Sequence, residues 1–511
     1  MAIEPPRATV AIRPVALAAA VVLWRRAPGL EVHWVQRRDE LAYLGGFHAF
    51  PGGRVARADR AVEVANIGEA DAERAALIAC AVRETFEETG VLLARGARRG
   101  PAARRAAARA EMLAEDLSLA DFLAAEDLSI DGRDFIPAGR WVSPPFTPGG
   151  FDTQFFLCEL PDGEDAAFDP GELQGGEWLA AGTALGRWRD HRALLAAPAL
   201  YTLRELDARP DASAATWGEA LATPPEARGG AVPRIEVHPG FVLVPQRTPT
   251  LAPATHTNCI LVGGPELLIV DPGSDDPAEL ALLDAALDRL LAEGRKVHGT
   301  LVTHHHGDHW KGVAHVRARH GGPVYAHAWT APLVGADRAL EGGETIELAQ
   351  AAGGQPWRLE VLFTPGHTPG HLALYEPVSG TIIAGDLVSG LSTVVIDPPE
   401  GDMIAYLASL ATLLARPSTL LLPGHGPPMG GPRHRLRFYL EHRAWREGRI
   451  VNALEDGPRT LEEIVPVAYE DTPPERHGLA ARSALAHLLK LAAEGRVAQP
   501  VEGRWARAGA A

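Results

Sequence analysis

Lysine is almost missing from this 511-residue chain: only Lys296, Lys311 and Lys490 occur, and arginine carries nearly all of the positive charge. Lys and Arg together number 49 against 65 Asp and Glu, a net charge of −16. That balance argues against broad nonspecific binding to nucleic acid or an anionic membrane and leaves room only for a local basic groove. Cysteine is scarce too. Cys80, Cys158 and Cys259 are far apart, so neither a disulfide framework nor a cysteine metal or redox pair is expected, and a reducing, cytoplasmic setting is. Long apolar runs are also absent: Val15 to Trp24 is ten residues, too short to span a bilayer, without a signal-peptide pattern, and it reads as a buried strand. The abundant alanine reflects compositional bias. A chain this long exceeds one hydrophobic core and divides into roughly two to four domains.

What the chain has in density is metal-ligand chemistry. Thr303-His304-His305-His306-Gly307-Asp308-His309-Trp310 follows a short β-prone run that ends at Val302. His304 and His306 alternate to one side of an extended segment, whereas His305 points the other way. Taken alone, the stretch also reads as a polar loop with Asp308 capping the next helix. Three later segments change the balance: Thr364-Pro365-Gly366-His367-Thr368-Pro369-Gly370-His371, Thr381-Ile382-Ile383-Ala384-Gly385-Asp386, and Leu420-Leu421-Leu422-Pro423-Gly424-His425. Each places its candidate ligand at or beyond the end of a strand-like run, in a glycine-bearing loop, where a site on a rigid scaffold belongs.

The N-terminal half carries a second constellation. Phe47 to Val55 is a glycine-rich loop containing Pro51-Gly52-Gly53, and Asp71 opens a helix that Gly90 closes. Near its end sits Arg83-Glu84-Thr85-Phe86-Glu87-Glu88-Thr89-Gly90. Glu84, Glu87 and Glu88 share one helical face, where like charges oppose the helix by a few tenths of a kcal/mol per pair. A hard divalent cation bound through oxygen would remove that repulsion; a solvated acidic face is the plainer alternative. The loop and helix together resemble the Nudix family. The resemblance implies Mg²⁺ or Mn²⁺ held by Glu84, Glu87 and Glu88 against a diphosphate, Glu84 and Glu88 taking part in catalysis, and Arg83 orienting a glutamate. It departs from the family pattern at Glu69 and Ala75, where a glycine and a glutamate are usual, and an insert separates the glycine loop from the helix. A nucleotide-type or coenzyme A compound is the implied substrate, to be hydrolysed or merely bound.

The four C-terminal segments, preceded by the strand-ending Asp271, resemble the metallo-β-lactamase fold superfamily over residues 235–430. That resemblance implies one zinc on His304, His306 and His367, a second on Asp308, His309 and His425, and Asp386 bridging both. Asp308 is also expected to serve catalysis, with His371 either supporting the ligands or facing the substrate and Asp271 a structural or ligand-supporting carboxylate; iron or manganese remains open. Two close cations bring the pKa of a bridging water from about 16 toward neutrality and polarise the scissile bond, so no covalent nucleophile is needed. A thioester, as in glyoxalase II, and a phosphodiester of single-stranded RNA, as in the lactamase-like endoribonucleases, are both implied substrates. Beyond Arg433 come helices at Tyr439–Glu447, Ile450–Leu454, Thr460–Ala468 and Leu479–Glu494, and a small hairpin, a winged-helix pattern. Residues 435–511 hold twelve Lys/Arg against eleven Asp/Glu, no basic footprint, so packing or dimerisation is favoured over nucleic-acid binding.

The expected architecture is α/β (α+β): a Nudix-like α/β/α sandwich at 8–206, a linker at 207–234, a central αββα metallo-β-lactamase sandwich at 235–432, and a winged-helix-like helical domain at 433–508. No membrane partner is expected, and oligomeric state is left open.

Overall fold

The computed structural model describes residues 15–41, 43–68, 71–96, 102–144, 147, 149–168, 171–222, 235–349 and 356–509. The described residues form two units, one up to residue 242 and the other from residue 243.

The first unit is built on the strand Ala16–Arg26. It pairs antiparallel with Leu30–Arg37 and parallel with Phe151–Glu159, which pairs in turn with Ile136–Val142. Its side chains alternate between two cores. Ala19, Val21 and Leu23 pack with Leu77, Ile78 and Phe86 of the helix Ala72–Thr89. Ala20, Val22 and Trp24 pack with Leu185, Trp188, Leu203 and Trp217 from helices on the opposite face. A strand buried on both faces reads as a continuous apolar run, as this one does. The result is an α/β/α sandwich. The Ala72–Thr89 helix starts where the Asp71 side chain accepts from the Arg74 N–H (3.1 Å) and stops at Gly90, whose φ of +75° supplies the left-handed cap.

One expectation for this unit shifts. Residues 207–222 are folded rather than linking: the helix Ala214–Leu221, capped by Ser213, buries Trp217 completely, and the indole N–H donates to the Arg209 carbonyl (2.8 Å). Pro210 reads as linker chemistry, but Trp217 and Leu221, four apart, form an apolar helical face. The rest of the linker, 223–234, lies outside the described residues, as do residues 8–14 of the expected first domain. The helix Ala102–Leu113 sends Ala108 and Met112 into the core beneath it, and Arg109 donates to the Glu87 carbonyl (2.9 Å).

The second unit holds two sheets. In one, His256–Gly263 and Glu266–Val270 are antiparallel, and Lys296–Leu301, Val324–His327 and Arg338–Leu340 continue in parallel. In the other, Thr345–Leu348, Trp357–Phe363, Leu372–Glu376 and Thr381–Ser389 form a meander to which Leu420–His425 adds in parallel. The helices Pro277–Ala292 and Val313–His320 connect strands of the first sheet, and Met403–Leu414 buries Tyr406 and Leu410 against the second. The helical tail follows expectation with one simplification: the segments 439–447 and 450–454 belong largely to one unbroken helix, Pro432–Asn452. The helices Leu461–Ala468 and His477–Ala493 and the hairpin Val497–Val501/Arg504–Arg507 complete a winged helix.

Candidate metal centre

Four strand-end segments converge in the second unit. His304 Nε2 lies 3.0 Å from His306 Nδ1, which lies 3.1 Å from His367 Nε2. Asp386 Oδ2 lies 3.7 Å from His367 Nε2 and 3.3 Å from His425 Nε2, and Asp386 Oδ1 lies 3.5 Å from His309 Nε2. Asp308 Oδ2 is 3.5 Å from His425 Nε2. Potential ligand atoms thus gather as His304/His306/His367, as His304/His309/Asp386, and as Asp308/His309/His425, with Asp386 at the junction.

Four of the imidazoles are oriented by a partner on the far side, whereas His306 turns Nδ1 inward. The Thr303 hydroxyl donates to Asp271 (2.7 Å) and so accepts from His304 Nδ1 (3.0 Å). Asp271 also accepts from the Thr303 backbone N–H (2.8 Å) and from His309 Nδ1 (2.8 Å). His367 Nδ1 donates to the Val395 carbonyl (3.0 Å), and His425 Nδ1 to the His256 carbonyl (2.9 Å). With Nδ1 engaged in this way, Nε2 of these four rings faces inward, where a bound metal would take its lone pair. Burial, with neighbouring rings, pulls His304 well below the ordinary histidine range and His306 to about 3, so both are neutral. At His309 burial acts the same way, but Asp386 and Asp271 outweigh it and hold the ring up.

The donor set fits a cation pair. Zinc–nitrogen bonds of about 2.0–2.1 Å place tetrahedral ligand atoms about 3.3–3.4 Å apart, close to the separations within the His304/His306/His367 group. His309 Nε2 and Asp386 Oδ1 are buried without a hydrogen-bond partner, an arrangement that a cation relieves. A Cβ on Gly424 would sit 2.3 Å from Asp386 Oδ1, so only glycine leaves the cage its room.

His305 faces away from that group. Its Nε2 is 3.3 Å from Glu400, and its ring meets Trp329 edge-on at 4.9 Å. His371 supports Asp386, accepting its backbone N–H (3.1 Å) while its other nitrogen meets Thr364 (2.9 Å). Sequence reasoning missed Thr303, Thr364 and Asn258. The Asn258 amide donates to the carbonyls of Pro423 (2.9 Å) and Gly426 (2.8 Å) and so fixes the loop bearing His425. Nothing local marks that asparagine; its partners lie more than 160 residues away.

In the first unit the insert does not keep the glycine loop from the glutamate helix. The Gly52 N–H donates to Glu88 (3.1 Å), and a Cβ on Gly53 would lie 2.4 Å from the Glu84 carboxylate. Arg83 Nη1 reaches both Glu84 and Glu87 at 2.9 Å, and its other face pairs with buried Asp59 (2.9 and 3.1 Å), a residue of the insert that sequence reasoning did not single out. Burial, reinforced at Glu88 by Glu84, raises Glu84 to about 7 and Glu88 to about 8. Glu84, Glu87 and Glu88 do not converge on a single point as the histidine set does, among the described residues.

Family comparisons follow this division. Residues 252–425 match the metallo-beta-lactamase superfamily, 460–505 the beta-lactamase associated winged helix domain, and 62–206 the NUDT19 Nudix domain. The fold and the buried histidine cage are those of a metal-dependent hydrolase. The chain belongs to the metallo-beta-lactamase superfamily, with a Nudix domain ahead of the hydrolase domain and a winged helix behind it. It is similar to the beta-lactamase-like protein 2 homolog of Drosophila melanogaster, 31% identical over 47% of this chain and 84% of that protein. It is also similar to the hydroxyacylglutathione hydrolase of Dechloromonas aromatica, 37% identical over 32% of this chain and 54% of that enzyme. A beta-lactamase domain protein from Burkholderia ambifaria, 25% identical, covers 54% of this chain and 93% of its own, with a TM-score of 0.47. No helix among the described residues is long and apolar enough to cross a membrane.

Proposed function

We infer that the second unit is a two-cation hydrolase of thioesters. His304, His306 and His367 hold one zinc, Asp308, His309 and His425 the other, and Asp386 lies between them. The observation that carries this reading is the junction at Asp386, whose two oxygens face His309 on one side and His367 and His425 on the other. When bound, such a pair supplies Lewis acidity and an activated water at neutral pH.

The chain's own residues do the rest. Asp271 and Thr303 keep His304 and His309 aimed inward, and the Val395 and His256 carbonyls do so for His367 and His425. The Asp308 carboxylate, at the rim of the second group, takes the proton released by the attacking water and passes it to the departing thiolate. Electrostatics favours a thioester over RNA. The half-exposed Glu400 carboxylate stands 3.9 Å from His306 Nε2, where it repels a phosphodiester, and the tail has no basic footprint. Relatives named as a hydroxyacylglutathione hydrolase and an atrochrysone carboxyl ACP thioesterase support the same chemistry. The test is metal analysis of the purified protein followed by turnover of acyl-glutathione, acyl-coenzyme A and single-stranded RNA, with Asp308→Ala as control. Zinc-dependent thioester turnover lost in the variant is expected; metal-dependent RNA cleavage in its place refutes the thioester assignment.

A second reading concerns the first unit and rests on the contact of Gly52 and Gly53 with Glu88 and Glu84. Glu84, Glu87 and Glu88 bind Mg²⁺ or Mn²⁺ against the diphosphate of a nucleotide or coenzyme A compound. Calorimetry with coenzyme A and nucleoside diphosphate compounds, with and without Mg²⁺, separates the outcomes. Turnover abolished by Glu88→Gln marks a second hydrolase, and tight binding without turnover marks a sensor.

A further inference from the structure

The segment Tyr439-Leu440-Glu441-His442-Arg443-Ala444-Trp445-Arg446-Glu447 takes no part in the cage, yet five of its polar residues are buried: Tyr439, His442, Arg443, Arg446 and Glu447 each expose 6% or less. Buried polar groups at this density are expensive unless their partners matter to the fold or the site. Their partners fall into two sets along one helix.

The N-terminal set grips the end of the strand that carries Asp386 and the loop after it. The Tyr439 hydroxyl accepts from the Ser389 N–H (2.8 Å) and lies 2.6 Å from the Ser389 carbonyl and 2.8 Å from that of Ser392. Arg443 donates to the Val394 carbonyl and lies 5.1 Å over the ring of Tyr406, whose hydroxyl donates to the Leu387 carbonyl (2.9 Å). These positions adjoin the cage. Leu387 follows Asp386, Val394 precedes Val395, whose carbonyl fixes His367, and the Gly390 N–H, next to Ser389, donates to the His425 carbonyl (2.9 Å). The C-terminal set grips the winged helix. Arg446 pairs with Asp471 (2.8 and 2.9 Å), and Glu447 pairs with Lys490 (2.7 Å) and Arg496 (3.2 Å). The winged helix also reaches the loop itself, through Ser483 to the Ile396 N–H (3.3 Å) and Arg482 to Asp397 (2.8 Å).

We propose that Tyr439 and Arg443 are positioning residues for the cation cage and that the helix Pro432–Asn452 is a strut by which the winged helix holds His367, Asp386 and His425 in place. This rests on the assignment of those three residues as metal ligands. The winged helix then serves the hydrolase as part of its scaffold, which agrees with its nearly neutral charge.

The test is zinc affinity of the full-length protein by chelator competition, with the Co²⁺-substituted absorption spectrum as a second readout. Tyr439→Phe removes one oxygen and keeps the ring; Arg443→Met removes the loop contact, with Arg443→Lys as partial rescue. Each of the first two is expected to weaken zinc binding about 10- to 100-fold, the usual effect of losing a partner that orients a ligand, and to shift the Co²⁺ bands. Leu454→Ala, in the winged-helix core, lowers stability without touching the loop and is expected to leave zinc affinity within about twofold. Unchanged affinity in both Tyr439→Phe and Arg443→Met, or an equal loss in Leu454→Ala, overturns the proposal. An unsubstituted protein that takes up no zinc or cobalt overturns the ligand assignment itself.

Discussion

Replacing Asp271 by asparagine should disable the cage while leaving the fold almost untouched. Asp271 is buried at a φ of +52°, a conformation that asparagine tolerates well, and the two side chains have nearly the same shape. The hydrogen-bond account differs. With its oxygen kept on the Thr303 N–H, the new amide donor replaces Oδ2 and faces both the Thr303 hydroxyl and His309 Nδ1. The hydroxyl must then accept from the amide and donate to His304 Nδ1, so His304 carries its proton on Nε2, and His309, facing a donor, does the same. Both rings would aim a hydrogen at the centre instead of a lone pair. The flipped amide instead sets two donors against each other at the buried Thr303 N–H, which costs about 1–3 kcal/mol. Zinc affinity should fall about 10- to 100-fold, equivalent to about 1.4–2.7 kcal/mol, with kcat/KM falling in parallel. Chelator competition measures the first and steady-state thioester hydrolysis the second. An Asp271→Asn variant that binds zinc within about twofold of the parent would refute the tautomer argument.

Three further outcomes follow from other parts of the molecule. Gly424→Ala places a methyl 2.3 Å from Asp386 Oδ1 and 2.9 Å from His309 Cε1, so the purified variant should retain less metal than the parent after desalting. Trp217→Ala empties a fully buried site in the first unit and should destabilise it by about 3–5 kcal/mol, read from the urea midpoint; a loss below about 1 kcal/mol would return residues 207–222 to the status of a linker. Burial alone would raise Glu447, but His487 and Lys490 outweigh it and hold the carboxyl at about 2. A depressed carboxylate stabilises the fold above its unfolded value of about 4.3 and loses that contribution as pH falls toward about 2. Glu447→Gln should therefore be less stable at neutral pH and lose less on acidification through that window, by up to about 3 kcal/mol; parallel acid profiles would contradict this.

The cluster was legible in the sequence because its candidate ligands sit at strand ends, where a β-rich run stops at a glycine-bearing loop, and because His304 and His306 alternate within one extended segment. The groups that set the tautomers were less visible. Asp271 stood out as a strand-ending carboxylate, but Thr303 is one hydroxyl among many, and the Val395 and His256 carbonyls belong to the backbone and leave no trace in side-chain chemistry. The helix bearing Trp217 was lost to the turn signals around it. Asp59 was invisible for a different reason: its partner, Arg83, lies across an insert that reads in one dimension as separation.

That insert has a consequence for how far the motif can stretch. Loop closure depends only logarithmically on length, so extra residues between two pinned ends add little to the free energy of the fold. The pins here are the contact of Gly53 with Glu84 and the Asp59–Arg83 pair. Asp59 engages one face of the guanidinium, so Arg83 divides its charge among three carboxylates and is not given over to Glu84 and Glu87 alone. The added loop is thus a ballast on the arginine: cutting it back to remove Asp59 would turn the full cationic charge onto the two glutamates, in competition with any metal they are to hold.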